Sequence, residues 1–314
     1  AIKKLLTDQE QWNRLSEHGI NATRKIYTWQ HHCRAYLEAL ETVIGRDTHL
    51  EIEKEYRSIG KRLSSIDYLL IADIDDTLIG DQDSVAPLVA YLREHHDTVG
   101  FGVATGRDLD SAVHVLTEHG FDPPDLIISS VGTEIYYSDN HAPDRGWKAH
   151  IRRNWKPENI RKVLGELPYL SLQDNPAAQR PHKISYVLDE SCDSDRVLPQ
   201  IHTLLSRQKL SYSLIFSHGA YLDILPYRAS KGHAVRYISR KWNIPMQHMF
   251  TAGNSGNDSS MLTGRMRGIV VENHEPELQQ LKNRSNIYFS GESHAAGVLE
   301  GLRYWKVQAD SQRY

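Results

Sequence analysis

The order of apolar runs and polar segments along the chain predicts alternating strands and helices. The run Tyr68-Leu69-Leu70-Ile71-Ala72 is apolar at every position, which is typical of a strand buried on both faces. Two further apolar runs follow, separated by segments of helical periodicity. Because parallel neighbours need a crossover helix, this order favours a parallel sheet. We predict strands at 68–72, 100–105 and 126–129 and helices at 85–95 and 108–119.

The pattern changes near Asp144 and becomes typical of a small α+β insert. Two short strands separated by His218-Gly219 have the pattern of a hairpin. In the insert we predict helices at 157–167 and 194–207 and strands at 169–173, 183–188, 212–217 and 221–225. Strand and helix alternation then resumes, with predicted helices at 231–241, 258–262 and 275–281 and strands at 249–252, 268–271 and 287–289.

The amino-terminal region has its own pattern. Apolar residues recur at helical spacing between Leu5 and Leu40, and Gly19 interrupts them, so we predict two helices broken at that glycine. Residues 43–63 mix charges on a weak apolar stripe, which favours a linker, partly helical. Because the chain starts with Ala1 rather than Met, we expect it to be a piece of a longer protein.

Composition excludes several classes of protein. The 314 residues are enough for about two domains. The chain has 37 Lys and Arg against 40 Asp and Glu, so we expect no nucleic-acid partner. No apolar run is long enough to span a bilayer, and we expect a soluble protein with no membrane partner. Two cysteines without metal-binding spacing, and no export signal, favour the reducing cytoplasm.

Two carboxylates follow the first predicted strand. Side chains alternate along an extended chain, so Asp73 and Asp75 project to the same side. They lie at the carboxyl end of a buried strand, where open α/β sheets bind ligands. Like charges this close are costly unless a cation neutralises them, which favours a bound divalent metal. The alternative is an ordinary polar turn.

Three further segments strengthen the metal and phosphate interpretation. Thr105-Gly106 follows the second strand, where a hydroxyl and a helix amino terminus can bind phosphate. Lys231 opens a helix and can neutralise phosphoryl charge, although alone it is an ordinary lysine. The loop Gly253 to Asp258 offers oxygen ligands at the same sheet edge; its alternative is a polar turn with Asp258 as a helix cap.

In this order the four segments resemble the haloacid dehalogenase superfamily of phosphatases, over roughly residues 66–304. Within it, several strings look like the sucrose-phosphate phosphatase family: residues 71–78, 104–107, 130–136, 222–226 and Lys231-Gly232. The resemblance implies an α/β fold: a Rossmann-like parallel-sheet core with an inserted α+β cap domain and an N-terminal helical extension. The predicted core is 66–143 and 227–305, the cap 144–226 and the tail 306–314.

The resemblance also implies the chemistry. Asp73 would attack phosphorus and form an aspartyl phosphate. Asp75 would protonate the departing sugar oxygen and then deprotonate the attacking water. Thr105 and Lys231 would bind the equatorial oxygens of the phosphoryl group. The predicted catalytic residues are therefore Asp73, Asp75, Thr105 and Lys231.

Mg²⁺ is the implied cofactor. Its predicted ligands are Asp73, Asp75 through its carbonyl oxygen, Asn254 and Asp258. The family's acidic loop begins Gly-Asp, whereas this chain has Gly253-Asn254. Because affinity for Mg²⁺ depends on ligand charge, we predict weaker metal binding and slower turnover.

Substrate selection would belong to the cap, since the core recognises only phosphate and metal. His182 and its neighbours near the cap sheet are candidates for binding sugar hydroxyls, and the segment after the third strand would line the cleft. The alternative for each is a solvated polar residue. The predicted substrate-binding residues are Thr105, Gly106, Arg107, Gly132, Thr133, Glu134, Lys183, Ser185, Lys231 and Asn257.

The amino-terminal residues are similar to the last helices of retaining glycosyltransferases, including sucrose-phosphate synthases, through Leu6-Thr7-Asp8, Trp12 and Tyr27-Thr28-Trp29. The resemblance implies a segment 1–45 from the end of such a domain, a linker 46–65, and a possible glycosyltransferase domain in the parent chain.

These inferences predict a Mg²⁺-dependent phosphohydrolase acting on a sugar phosphate, with sucrose 6-phosphate as the expected substrate and mannosylfructose phosphate as the alternative. A weakly active or inactive phosphatase-like module that binds sugar phosphate and regulates an attached glycosyltransferase stays open because of Asn254.

Overall fold

The computed structural model describes residues 8–25, 33–34, 36–38, 40, 62–137, 140–175, 178–217 and 219–311. They belong to two compact units that divide between residues 58 and 59. In the first unit, helix α1 (Gln9–Lys25) continues through Gly19, so the predicted break there is wrong. An exposed glycine costs a helix only about 1 kcal/mol, which the neighbouring helix-forming residues offset. Most of the second predicted helix lies outside the described residues. So does the predicted linker 46–65 up to residue 61.

The second unit contains two sheets. Its strands are β1 (Tyr68–Ala72), β2 (Val99–Ala104), β3 (Leu126–Ser129), β4 (Glu134–Tyr137), β5 (Ala142–Pro143), β6 (Leu170–Leu172), β7 (Ile184–Leu188), β8 (Ser213–Ser217), β9 (Tyr221–Leu225), β10 (Met249–Gly253), β11 (Arg267–Val270) and β12 (Ile287–Phe289). Its helices are α2 (Gln82–Glu94), α3 (Leu109–Glu118), α4 (Arg145–Ile151), α5 (Pro157–Leu164), α6 (Ser194–Arg207), α7 (Lys231–Lys241), α8 (Ser259–Leu262) and α9 (His294–Ser311).

The larger sheet has eight strands in the order β12-β11-β10-β1-β2-β3-β4-β5. The six strands from β12 to β3 are parallel, and β4 and β5 join antiparallel at one edge. Strand β1 is central: Ala72 pairs with Ala252 on one side and with Val103 on the other. This register aligns the carboxyl ends of three neighbouring strands at one edge of the sheet.

Both faces of the larger sheet are covered, which explains the uninterrupted apolar run of β1. Leu70 and Ala72 belong to a buried cluster that includes residues of α2 and α9. Leu69 and Ile71 face the other way, into a cluster that includes residues of α7. All five residues of β1 are buried, as predicted for a parallel strand between helical layers.

The smaller sheet is antiparallel, with the order β6-β7-β9-β8. Ile184 of β7 and Ile224 of β9 pack with Ile160 of α5 and Ile201 of α6 in a separate buried cluster. Strands β8 and β9 pair from Ser213–Leu225 to Ser217–Tyr221, which confirms the predicted hairpin. The smaller sheet therefore has its own hydrophobic core, formed by residues that lie in the sequence between the two parts of the chain that build the larger sheet.

Several elements differ from the sequence prediction. Strands β4 and β5 and helices α4 and α9 were missed, and Pro276–Leu281 is a 3-10 helix. Trp147 and Ile151 of α4 are buried in the cluster that contains Leu69, so the start of the predicted cap packs on the larger sheet. Helix α9 extends to Ser311 across the start of the predicted tail. No described helix is long and apolar enough to cross a bilayer.

Candidate active site

Three predicted site segments meet at one edge of the larger sheet. Asp73 follows β1, Thr105 follows β2 and Asn254 follows β10, which are neighbours in the sheet. The backbone N–H of Asp73 donates to the carbonyl of Ala252 at 2.9 Å, which continues the pairing beyond the strand. The strand order therefore brings together side chains that are up to 181 residues apart, as predicted.

Lys231 is buried between two carboxylates. It is the first residue of α7, and its side chain is fully buried. Its Nζ lies 2.9 Å from Oδ1 of Asp73 and 2.7 Å from Oδ1 of Asp258. Ser230 caps the helix by accepting from the backbone N–H of His233. The helix start thus fixes an ammonium group beneath Asp73.

The pKa values of this cluster follow from burial and charge. Burial, together with the nearby negative charge of Asp258, raises the pKa of Asp73 to about 7. Lys231 partly offsets that rise. Burial alone would lower the pKa of Lys231, but Asp258 and Asp73 outweigh it, and the net direction is upward. Lys231 therefore stays charged at neutral pH, while burial and Asp258 favour the neutral form of Asp73 when no further cation is near.

Asp258 is saturated with hydrogen-bond donors. Its Oδ2 accepts from the backbone N–H groups of Asn254 and Ser255, both at 3.1 Å, and from the Ser255 hydroxyl at 3.2 Å. Its Oδ1 accepts from Lys231. The residue is fully buried. This geometry favours a role in holding the loop and the lysine, and the assignment of Asp258 as a metal ligand stays a prediction.

Asn254 is buried and contacts Thr77, whose hydroxyl lies 3.0 Å from the amide oxygen. A hydroxyl can donate or accept, so the amide can also turn its nitrogen to Thr77 and its oxygen away. Thr77 belongs to the family string 71–78, where a supporting role is expected for it, and it contacts Asn254. It fixes the position of the side chain that replaces an aspartate of the family pattern.

Asp75 is in a different environment from Asp73. Its carboxylate is 47% exposed and lies 2.7 Å from Nη2 of Arg107. The Nε of Arg107 also donates to both carboxylate oxygens, at 2.9 and 3.1 Å. The hydrogen bond to Asp75 raises the pKa of Arg107. The two predicted catalytic carboxylates therefore differ in both burial and cationic partner.

Thr105 is fully buried at the end of β2. Its hydroxyl oxygen accepts from the backbone N–H of Arg107 at 3.1 Å. Because the oxygen accepts that bond, the hydroxyl keeps its own hydrogen to donate. The backbone of Thr105 is held by the carbonyl of Ile128 on the neighbouring strand. The turn is thus anchored beside Asp73.

A cavity of about 350 Å³ opens above Asp73 and Asp75. Its volume is in the range of small-molecule sites. The floor belongs to the larger sheet and the opposite wall to the smaller sheet. The lining residues from the floor are Asp73, Asp75, Asp76, Gly106, Arg107, Asp108, Ser111, Val131, Asn254, Ser255 and Asn257, and those from the opposite wall are Gln173, Asn175, Ala178, Lys183, Ile215, Ser217 and Asp223.

Several predicted substrate-binding residues do not line this cavity. Gly132 and Thr133 lie behind Val131, because the chain turns through positive φ angles at Ser130, Val131 and Gly132. The Thr133 hydroxyl donates back to the Ser130 carbonyl at 3.0 Å. This local turn, which periodicity does not encode, keeps residues 132–133 out of the cavity lining, and their contact with a ligand stays a prediction. The predicted substrate-binding residues that do line the cavity are Gly106, Arg107, Lys183 and Asn257.

Four further predicted substrate-binding residues lie outside the cavity lining. Ser185 is fully buried, and its single hydroxyl hydrogen is shared between the Ala178 carbonyl at 2.9 Å and Asp223 at 2.5 Å. Glu134 is paired with Arg180 and is also outside the lining. Thr105 and Lys231 lie beneath the floor rather than in it. Ser185 and Glu134 do not line the ligand-free cavity, and their direct contact with a ligand stays a prediction.

Sequence reasoning assigned no role to several polar residues of the wall. Asp223 is 8% exposed, and its Oδ2 lies 3.5 Å from Nζ of Lys183. A charged residue inside the apolar strand β9 was the available signal, since buried charges require partners. Gln173 and Asn175 follow β6, and their position in the wall depends on the fold of the smaller sheet.

The oxygen donors of the floor fit a hard cation. Asp73 would supply a buried carboxylate, Asn254 an amide oxygen and Asp75 a backbone carbonyl. Mg²⁺ takes one or two carboxylates and keeps several waters, so this set is sufficient. Within the described residues, no three His, Cys, Asp or Glu side chains form a metal cluster.

The fold and site together define an α/β protein of the haloacid dehalogenase type. The profile of the sucrose-6F-phosphate phosphohydrolase family matches residues 66–306, and the chain belongs to this family. A solved structure of the sucrose-phosphatase from Synechocystis sp. PCC6803, in complex with sucrose and phosphate, is 30% identical with a TM-score of 0.72. The alignment covers 77% of this chain and 98% of that one.

Two curated relatives are also similar. Sucrose-phosphatase 2 of Nicotiana tabacum is 29% identical over 251 residues, which is 74% of this chain and 58% of the relative. Mannosylfructose-phosphate phosphatase of Agrobacterium fabrum is 28% identical over 241 residues, which is 76% of this chain and 96% of the relative. The chain thus spans 58% of the length of the tobacco protein. The family match starts at residue 66, so the link of residues 1–45 to a glycosyltransferase stays a prediction.

Proposed function

We propose that the protein is a phosphatase that hydrolyses a disaccharide phosphate, with sucrose 6-phosphate as the preferred substrate. The observation that carries the proposal is Asp73, a buried carboxylate at the floor of the cavity with Lys231 2.9 Å away. Family membership and the printed names of the relatives support the same class of substrate.

In the proposed first step, Asp73 attacks phosphorus. Its Oδ1 is paired with Lys231, so we assign the attack to Oδ2. A P–O bond forms to Asp73, and the ester P–O bond breaks. Asp75 gives its proton to the departing sugar oxygen. The products are a free disaccharide and an aspartyl phosphate.

In the second step, Asp75 takes a proton from water, and the water oxygen attacks phosphorus. The bond to Asp73 breaks, and inorganic phosphate leaves. Arg107 holds Asp75 in the ligand-free geometry, so the carboxylate must exchange this partner for the sugar oxygen. Thr105 donates its hydroxyl to a phosphoryl oxygen, and Lys231 stabilises negative charge from beneath Asp73.

We propose Mg²⁺ as the cofactor, bound by Asp73, the Asp75 carbonyl oxygen and Asn254. It would neutralise charge on the phosphoryl oxygens and hold Asp73 in its anionic form. Asp258 keeps Lys231 and the loop in position. The neutral amide at 254 lowers the charge of the ligand set and is expected to weaken the metal site.

The wall formed by the smaller sheet supports a polyhydroxylated substrate. Amide, hydroxyl and charged groups face the cavity there: Gln173, Asn175, Lys183, Ser217 and Asp223. Such groups match sugar hydroxyls as donors and acceptors. The Agrobacterium relative makes mannosylfructose phosphate the alternative substrate.

A second candidate function is favoured by Asn254. With a neutral residue at this position, the protein would bind sugar phosphate and regulate a glycosyltransferase without rapid turnover. The buried Asp73 and Lys231 pair favours the hydrolase, because a ligand-binding module has no need of a buried nucleophile beside an ammonium group.

Phosphate release from sucrose 6-phosphate and from mannosylfructose phosphate, with Mg²⁺ and with EDTA, tests the proposal. We expect Mg²⁺-dependent release that is fastest for sucrose 6-phosphate and absent in Asp73→Asn. Asp76→Asn, a neighbouring carboxylate of the cavity, is the matched control. Binding of either ester without release would establish the regulatory function instead, and release that persists in Asp73→Asn would refute the mechanism.

A further inference from the structure

One ion pair joins the two sheets beside the cavity. Glu134 starts β4 of the larger sheet, and Arg180 precedes β7 of the smaller one. Nη2 of Arg180 lies 3.0 and 3.1 Å from the two carboxylate oxygens of Glu134, and Nε lies 3.2 Å from Oε1. The side chains are 18% and 33% exposed, so solvent screens this pair less than a surface pair.

On the cap side, Arg180 is coupled to the ligand wall. Its backbone N–H donates to the Lys183 carbonyl at 2.9 Å, and the Lys183 N–H donates back at 3.1 Å. The carbonyl of Pro181 within this short turn accepts from the Trp155 indole at 2.9 Å. Lys183 lines the cavity and pairs with Asp223. A displacement of Arg180 therefore moves the Lys183 wall with it.

On the core side, Glu134 is coupled to the phosphate floor. Its Oε2 accepts hydroxyl hydrogens from Ser129, Ser130 and Tyr136, at 3.2 to 3.3 Å. The N–H of Ser130 donates to the Arg107 carbonyl at 2.8 Å, and the next N–H donates to the Thr105 carbonyl. The carboxylate is thus anchored to the turn that supports the residues after β2.

We propose that the ion pair of Glu134 and Arg180 acts as a positioning latch. By latch we mean that the pair sets the distance between the cavity wall from the smaller sheet, which would contact the sugar, and the cavity floor from the larger sheet, which would contact the phosphate. Neither residue touches the cavity, so the pair acts through Lys183 on one side and through the Ser130 turn on the other. A ligand that spans both surfaces needs this spacing, whereas a phosphate ester that contacts the floor alone does not. The proposal rests on the disaccharide phosphate function above.

The test compares two substrates in Glu134→Gln, Arg180→Gln and the double variant. Sucrose 6-phosphate spans both surfaces, and p-nitrophenyl phosphate is too small to do so. We expect kcat/KM for sucrose 6-phosphate, divided by that for p-nitrophenyl phosphate, to fall about tenfold in each single variant, mainly through KM. The double variant should lose no more than a single one, because both changes break the same interaction.

Arg93→Gln is the matched control, because it removes a bidentate pair with Asp122 at 2.6 and 2.7 Å that lies away from the cavity. It should leave the ratio unchanged. An unchanged ratio in Glu134→Gln, additive losses in the double variant, or the same loss in Arg93→Gln would overturn the latch.

Amide hydrogen exchange separates failure of the latch from failure of the proposed function. In Glu134→Gln and Arg180→Gln, we expect faster exchange at residues 178–185 and unchanged exchange in β1. Unaltered exchange at 178–185 overturns the latch whatever the substrate. No release from sucrose 6-phosphate by the unmodified protein refutes the proposed function, while faster exchange would still support the latch.

Discussion

Asp144 precedes α4 and is hydrogen-bonded to β4, α4 and α7, and its replacement by asparagine gives a stability prediction that does not depend on function. Its Oδ2 accepts from the Tyr137 hydroxyl at 2.5 Å and from Lys241 at 2.7 Å. Its Oδ1 accepts from the Trp147 N–H at 2.8 Å and from the Tyr237 hydroxyl at 2.9 Å. The Asp144 side chain is fully buried.

Asparagine keeps the Oδ1 bonds and turns an NH₂ group toward the other two partners. Two charge-assisted hydrogen bonds are lost, each worth about 1.5–3 kcal/mol. Lys241 then lacks a countercharge, but it is 27% exposed and lies 5.0 Å from the ring centroid of Tyr137, which lessens the cost. We expect Asp144→Asn to lower the free energy of unfolding by about 3 kcal/mol, near the lower end for a broken buried pair.

The loss should depend on pH in one direction. Burial would raise the pKa of Asp144, but Lys241, Tyr137 and the Trp147 N–H outweigh it, and the pKa lies below its ordinary 3.8. A carboxyl with a depressed pKa stabilises the fold above the unfolded pKa, and that contribution is lost as pH falls through the folded value. The difference between the two proteins should therefore be constant from pH 5 to 8 and shrink below about 3.8.

Urea unfolding at several pH values measures this difference, and Tyr137→Phe serves as the matched variant that removes one hydroxyl. Its loss should be about 1.5 kcal/mol, the lower end for one charge-assisted hydrogen bond, and smaller than the loss in Asp144→Asn. The midpoint of thermal unfolding should fall by about 6–12 °C in Asp144→Asn. A loss below about 1 kcal/mol, or one that grows on acidification, would refute the reasoning.

Three other predictions concern the site. Asn254→Asp adds a charged ligand and should lower the Kd for Mg²⁺ about tenfold by calorimetry; an unchanged Kd would remove residue 254 from the metal site. Gly132 has φ of 90°, and a Cβ would lie 2.3 Å from the Ser230 carbonyl carbon, so Gly132→Ala should cost more than about 2 kcal/mol in urea. Gly120→Ala, with φ of 82° and nothing within 4 Å, should cost only about 1 kcal/mol; equal losses would contradict the close contact. Lys231→Met leaves two buried carboxylates without a countercharge, and phosphate release should fall more than about a hundredfold while Lys231→Arg restores little; near-normal release would contradict the role.

The sequence predicts the floor of the cavity because the polar residues there come directly after strands in the sequence. The apolar run Tyr68–Ala72 identifies β1, and the rules of parallel sheets place Asp73, Thr105 and Asn254 at one edge. Helix α7 was predicted to start at Lys231, and it does. These features depend on patterns within a few residues and on strand order.

Other features depend on contacts between distant segments, which local patterns do not encode. The partners of Asp75 and Glu134 are Arg107 and Arg180, and neither pairing follows from spacing. The left-handed turn at Ser130 and Val131 removes the next residues from the cavity wall, although neither residue is a glycine. Strand β4 was missed because it has only four residues, Glu134–Tyr137, in which half-buried and buried positions alternate.

The pairing of β1 with β10 also has a consequence for synthesis on the ribosome. Leu69 pairs with Met249, so the central strand of the larger sheet must wait for a partner made much later. At 5–20 residues per second, this interval is roughly ten to thirty seconds. During that time β1 can pair only with β2, and its other edge stays open to wrong partners, which favours misassembly of the unfinished chain.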